Sequence, residues 1–240
     1  MAGSKSDQLK TTIMKLSIKW LTAFLLLAAF ASCKKNDYFI GGSLHNPNFN
    51  GTTYDYLKTN PLFDTLVLLI DKTGLKDEIN AAGTTFFAPT DYSIKNYVKD
   101  VVQERKRLEA NDENLIFDFK DLDFAKLKDS VRAYIFGEKI ERAGLNATGK
   151  YYSAKDAEQR HISLRDDPSG GYSSGGLTNI PRYIYFTKVI GALDPLDNSA
   201  VPSEEKDARI VAQTSGIITT NGVLHVLANG HIFTFATAPK

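Results

Sequence analysis

The chain has 240 residues, 29 Lys+Arg against 28 Asp+Glu, 42% hydrophobic and 24% charged residues. This balance suits a globular protein and excludes a strongly basic nucleic-acid binder. A single cysteine excludes an intramolecular disulfide and a Cys-rich zinc site, and the length allows one sizeable domain or two small ones.

Lys15 and Lys19 precede an uncharged run, Trp20 to Phe30, too short for a comfortable membrane span. Ala31, Ser32 and Cys33 follow. A basic start, a short apolar stretch and small residues before a cut site describe a secretory signal, and Phe30-Ala31-Ser32-Cys33 resembles a bacterial lipobox. That resemblance implies removal of residues 1–32, acylation of Cys33 (a palmitate-type anchor) and attachment of the mature chain to a membrane. Met14 is the expected natural start. Loss of four lysines and Asp7 with the signal turns a formal +1 into a small net negative charge. Residues 33–51 are rich in Gly, Asn, Pro and Ser without periodicity and read as a lipidated tether.

The domain is expected over residues 52–236. Thr52 or Thr53 caps a short helix to Leu57. Pro61 opens a second, to about Lys72, with Leu62, Leu66, Leu69 and Ile70 at helical spacing, stopped by Gly74. Leu75 to Ala81 is a third short helix. Thr84–Ala88 has strand composition. Pro89 ends it, and the Thr90 hydroxyl is positioned to cap a long helix from Asp91 to about Ala110. The charged stretch Gln103–Glu113 is either a partner surface or, the favoured reading, a solvated extension. Asp123 caps a helix expected over Phe124–Phe136.

From Tyr151 onward the pattern changes to strands: His161–Leu164, Arg182–Lys188, Arg209–Gln213, Gly216–Thr219, Val223–Leu227 and His231–Phe235. Asn221-Gly222 between two β-rich runs predicts a tight hairpin with both turn residues at φ > 0. Helices first and strands second, without βαβ alternation, argue an α+β fold.

Three segments together resemble the fasciclin-domain family. Thr84-Thr85-Phe86-Phe87-Ala88-Pro89-Thr90-Asp91 is similar to its first motif, and Asn221-Gly222-Val223-Leu224-His225-Val226-Leu227 to its second. Between them, the segment around Tyr134 occupies the central Tyr-His region, with Ile135 where the family usually has His. The resemblance implies a fasciclin-like wedge of helices packed on a β-sheet, used for adhesion or extracellular interaction, usually without enzymatic activity or cofactor. Thr84, Phe86, Phe87, Ala88, Pro89, Thr90, Asp91, Tyr134, Asn221, Gly222 and His225 then carry the motifs as structural parts. Val223, His225 and Leu227 share one strand face, where an imidazole among apolar neighbours is more often structural than a ligand.

Other chemistries find little support. Gly171-Tyr172-Ser173-Ser174-Gly175 matches a nucleophile-elbow pattern, but the Gly- and Ser-rich surroundings lack the strand and helix an elbow needs. His45, His161, His225 and His231 are scattered without metal-ligand spacing, so no metal is expected. No phosphate-binding loop or dinucleotide fingerprint occurs, and no cofactor is expected. The longest irregular stretches, Asp166–Asn179 and Gly191–Asp207, are the expected binding loops, with Tyr172 and Ser173 as candidate contacts. The expected function is that of a non-enzymatic cell-envelope lipoprotein on the outer membrane, facing either the surface or the periplasm, that binds a protein or polysaccharide partner. The alternative is a glycan-binding accessory lipoprotein of a polysaccharide-uptake system, with Tyr151, Tyr152, Tyr172, Tyr183 and Tyr185 as possible sugar-stacking aromatics.

Overall fold

The computed structural model describes residues 47–108, 118–166, 181–195 and 197–235. Cys33, Tyr172, Ser173, the signal and most of the tether lie outside the described residues. Residues before the expected boundary at 52 already join the domain. Phe49 donates to the Ile218 carbonyl, Ile218 donates to the Pro47 carbonyl, and the Phe49 ring meets Tyr56 edge-on at 5.2 Å.

Helix α1 (Thr53–Thr59) opens with a reciprocal capping box between Thr52 and Asp55. A 3₁₀ turn at Pro61–Phe63, capped by Asn60, leads into α2 (Asp64–Thr73). Gly74 ends α2 in the left-handed conformation, φ 68°. Helix α3 (Lys76–Ile79) is a single turn, shorter than its sequence pattern suggests. Then come β1 (Thr84–Ala88), α4 (Asp91–Leu108) and α5 (Phe124–Arg132), the last capped by the Asp123 side chain.

Helix α5 does not run on to Phe136. It stops at Arg132, and Ile135–Phe136 form a two-residue strand, β2, antiparallel to β1. Pairing with an already buried strand outweighs the helical spacing of Ile135. Strands β3 (Lys150–Ser153), β4 (Gln159–Asp166), β5 (Arg182–Lys188), β6 (Ala208–Ile218) and β7 (Gly222–Leu227) complete the sheet. The two short strands expected at 209–213 and 216–219 are one strand, β6, interrupted by register shifts on either side of Thr214. His231–Phe235 is not a strand but ends in a 3₁₀ turn over Phe233–Phe235.

The seven strands run in the order β2-β1-β7-β6-β5-β4-β3, antiparallel except for the parallel pair β1–β7. A bridge between Phe136 and Ala154, with Lys155 N–H on the Ile135 carbonyl at 2.8 Å, brings the two outermost strands together and shields part of each edge. Helices lie against β1 and β7: α3 packs on β1, α1 on β7, and α2 on both α4 and α5. Leu57, Phe63, Leu66, Leu69, Ile70 and Ile79 are fully buried in this layer. The result is an α+β fold with helices on a sheet, reached without regular βαβ alternation.

Candidate functional site

The motif residues converge on the junction where β1 lies between β2 and β7. All five residues of β1 and all six of β7 are buried. Phe87 and Phe86 point to opposite faces, as alternation in a strand requires. Phe87 meets Phe136 edge-on at 5.5 Å and stacks on the His225 imidazole at 4.6 Å. On the same face, the Thr85 hydroxyl donates to the Glu138 carbonyl and accepts from Ile140 N–H, fastening the segment after β2 to β1.

His225 is fully buried and has both ring nitrogens engaged. Gly216, at φ 78° in the irregular stretch of β6, turns its N–H onto Nδ1 at 3.1 Å, while Nε2 lies 2.8 Å from the Ile140 carbonyl. The bulge thus supplies a donor that a regular ladder would have used within the sheet. Nδ1 accepts, so Nε2 carries the proton, and burial holds the pKa down to about 4.

Tyr134 is also fully buried. Its hydroxyl accepts from Thr234 N–H at 3.1 Å and shares a hydrogen bond of 2.7 Å with His231 Nε2. Its ring stacks with Phe186, Phe233 and Phe235. Burial pushes the phenol up and the His231 imidazole down, to about 3. Ile135 leaves the position after Tyr134 without a histidine, and the imidazole that meets the phenol comes instead from His231, 97 positions away. Sequence reasoning missed this pair because an isolated histidine followed by β-prone residues reads as strand.

Asn221 acts as a clasp. Its side-chain oxygen accepts from Thr53 N–H at 2.8 Å, its amide nitrogen donates to the Ile79 carbonyl, and its own carbonyl accepts from Gly83 N–H. Helices α1 and α3 and the start of β1 are therefore tied to one turn. Neither Asn221 nor Gly222 has positive φ, contrary to the expected turn type. Gly222 is needed for space: a Cβ there would lie 1.8 Å from the Thr84 carbonyl oxygen.

Thr90 and Asp91 also differ from expectation. The Thr90 hydroxyl is buried without a hydrogen-bond partner and does not cap α4; only its carbonyl accepts, from Ser93 and Ile94 N–H. The Asp91 carboxylate reaches sideways to the N-terminus of α2, accepting from Thr65 and Leu66 N–H at 2.9–3.1 Å. Those amides would otherwise lack partners, since Phe63 supplies no side-chain cap. Pro89 and Ala88 carry the chain from β1 to this cap.

Of the expected binding loops, Asp166–Asn179 lies almost wholly outside the described residues. Gly191–Asp207 is fastened. The Asp207 carboxylate accepts from Ile190 and Asp194 N–H, and the Asp194 carboxylate accepts from Asp207 N–H and the Asn198 amide. Tyr151, Tyr152, Tyr183 and Tyr185 stand on strands, and of these Tyr151 is half exposed, its ring edge-on to His161 at 5.1 Å. Among the described residues no group of His, Cys, Asp and Glu is arranged to hold a metal, and no helix is long and apolar enough to cross a membrane.

Two pockets flank the motif junction. One, of about 280 Å³, lies beside the Asp91 cap and is lined by Thr65, Tyr92, Ile94, Val98 and Phe119, among others. The second, of about 240 Å³, opens between α5, the β3–β4 turn and the last 3₁₀ turn, and includes Arg160 and Lys188. Arg160 was not singled out from the sequence. The available signal was a charge in register with Ile162 and Leu164 on a buried strand face, four residues after Asp156.

A family model of the fasciclin domain matches residues 61–229. The chain belongs to the fasciclin-domain family, and its helices and seven-stranded sheet form a single fasciclin domain. No curated protein matches it. Among solved structures it is similar to a FAS1 domain pair from the insect cell adhesion molecule fasciclin I, at 13% identity and a TM-score of 0.42. That match covers 74% of this chain and 49% of the other, so this chain spans about half the length of the domain pair.

Proposed function

We propose that the protein is an adhesive or partner-binding module carried on a lipid-anchored envelope lipoprotein, and that it performs no catalysis. Membership of the fasciclin family carries this reading. The use made of the motif residues supports it: the imidazoles of His225 and His231, the Tyr134 phenol and the Asp91 carboxylate are all engaged in holding elements together. The lipobox-like Phe30-Ala31-Ser32-Cys33 supports a Bacteroidota-like lipoprotein on the outer membrane, and the partner is a protein or polysaccharide rather than nucleic acid.

Cells expressing the full chain should adhere to one another or to a matrix more than cells expressing Cys33→Ser, which should also lose acyl labelling and leave the membrane fraction. Equal adhesion with and without the chain would overturn the adhesive reading. An unmodified mature chain starting elsewhere than Cys33 would overturn the anchor. Hydrolysis of an ester panel that disappears in Ser173→Ala would establish an enzyme instead.

A further inference from the structure

The chain carries three Asn-Gly dipeptides, Asn50-Gly51, Asn221-Gly222 and Asn229-Gly230. In such a pair the glycine has no Cβ to shield its amide nitrogen, which is the nucleophile nearest the asparagine side-chain amide. The structure treats the three differently. Asn221 is held at both ends of its side chain, by Thr53 N–H at 2.8 Å and by the Ile79 carbonyl at 3.1 Å. The N–H of the buried Gly222 donates to Thr219 Oγ1. At Asn50-Gly51 the glycine N–H is also engaged, donating to the Phe49 carbonyl at 3.0 Å. Asn229 and Gly230 are both exposed, in a turn that His231 N–H closes onto the Ala228 carbonyl. Gly230 N–H has no acceptor among the described residues.

Asn229 also has a donor aimed at it. Between Ala212, opposite Leu227, and Thr214, opposite Val226, strand β6 takes two steps where β7 takes one, so Gln213 is the extra residue of a bulge. Its side chain donates from Nε2 to Asn229 Oδ1 at 3.2 Å. A donor on that oxygen polarises the amide and stabilises the negative charge that builds there when a nucleophile adds to Cγ. We propose that Asn229-Gly230 is a site of spontaneous deamidation in the folded domain, with Gln213 as the positioning residue that accelerates it. Gly230 N gives its proton to solvent base and attacks Asn229 Cγ. The new C–N bond closes a succinimide, while the Cγ–Nδ2 bond breaks and Nδ2 leaves as ammonia, taking a proton from solvent. Water then adds to one of the two ring carbonyls, and the C–N bond there breaks. Opening at Cγ gives aspartate. Opening at the main-chain carbonyl, which accepts from Asn96 Nδ2 at 3.5 Å, gives isoaspartate, whose backbone runs through one extra carbon. The turn leads directly to His231 and, through it, to the Tyr134 hydroxyl. The extra carbon therefore falls where the last 3₁₀ turn is fastened to the core.

Peptide mapping by mass spectrometry tests it, on the purified full chain in detergent, held in mildly alkaline buffer below its unfolding temperature. Conversion is expected first at Asn229, to both aspartate and isoaspartate, and more slowly at Asn50. Asn221 should stay intact until urea unfolds the chain and brings the three rates together. Gln213→Ala, a change at an exposed residue, should slow conversion at Asn229 about fivefold, as loss of one hydrogen bond to the developing charge does. It should leave the rate at Asn50 unmoved, which a general loosening of the fold would not. As Asn229 converts, the unfolding midpoint of the wild-type chain should fall. Asn229→Asp, which brings the charge without the extra carbon, should keep the midpoint close to that of the fresh chain. Conversion at Asn221 or Asn50 as fast as at Asn229 in the folded chain would overturn the proposal, and so would an Asn229 that reacts only after unfolding. An unchanged Asn229 rate in Gln213→Ala would overturn the role given to Gln213, and an unchanged midpoint after conversion would overturn the link to His231.

Discussion

Strands β1 and β7 are buried along their whole length, whereas β3, at the other end of the same sheet, exposes three of its four residues. At the β1–β7 end, polar side chains are few and each of Thr85, Asn221 and His225 joins two or more segments. Toward β3 and β4 the polar side chains are charged and gathered around an opening, as Arg160, Asp156 and Glu158 are. One sheet thus differs along its width: an inner end whose side chains fix geometry, and an outer end where charged side chains pair with one another beside an opening.

Truncation should separate the two ends most sharply. Phe87→Ala removes a ring fully buried against Phe136, Phe186 and His225 and should cost about 4 kcal/mol. Tyr151→Ala, half exposed on β3, should stay within about 0.5 kcal/mol. Denaturant midpoints measure both, and similar losses would erase the distinction between the ends.

Glycines refine it. Gly222→Ala forces a methyl against the Thr84 carbonyl and should cost about 3 kcal/mol, as overpacking against an immovable backbone does. Gly216→Ala meets open space, and only its φ of 78° opposes it, so about 1 kcal/mol is expected. Chemical denaturation would reveal whether the ranking holds; equal losses would mean that β1 and β7 can move apart.

Acid should act through the buried imidazoles. Both His225 and His231 are held neutral in the fold, at about 4 and about 3, while an unfolded histidine titrates near 6.5. Between those values the unfolded chain binds more protons, so stability is intact above about pH 6.5 and falls as pH drops toward 4. The loss should reach on the order of 4 kcal/mol by pH 5, about 2 kcal/mol from each imidazole, and His231→Gln should remove about half of the slope. A midpoint flat from pH 7 to 5 would contradict the buried neutral state.

Local chemistry made much of this fold legible in the sequence. The cap at Thr52, the stop at Gly74, strand β1 and the span of β5 follow from capping, left-handed glycine and strand composition. The departures arose where partners are distant. Ile135 keeps helical spacing with Val131, yet pairing with β1 draws it into a strand. Gly222 sits in a turn that looks dihedral-driven, but β1, some 138 positions earlier, decides it through the Thr84 carbonyl. Arg160 looks like an ordinary strand charge until Asp156, Glu158 and Phe235 close around it.

The smallest effect expected comes from the two adjoining motif residues, Thr90, which the sequence suggested as a cap, and Asp91, which is one. Asp91→Ala should cost about 1 kcal/mol, because Thr65 and Leu66 N–H at the start of α2 lose their acceptor. Thr90→Val keeps the shape and deletes a buried hydroxyl without a partner, so it should be neutral or slightly stabilising. If Thr90 instead capped α4, the valine variant would lose a comparable 1 kcal/mol and the Asp91 change would matter less to α2. Hydrogen exchange distinguishes the cases at residue resolution. Asp91→Ala should speed exchange at Thr65 and Leu66 while leaving the first turn of α4 unchanged, and Thr90→Val should alter neither. Faster exchange at Ser93 and Ile94 in the valine variant would return the capping role to Thr90.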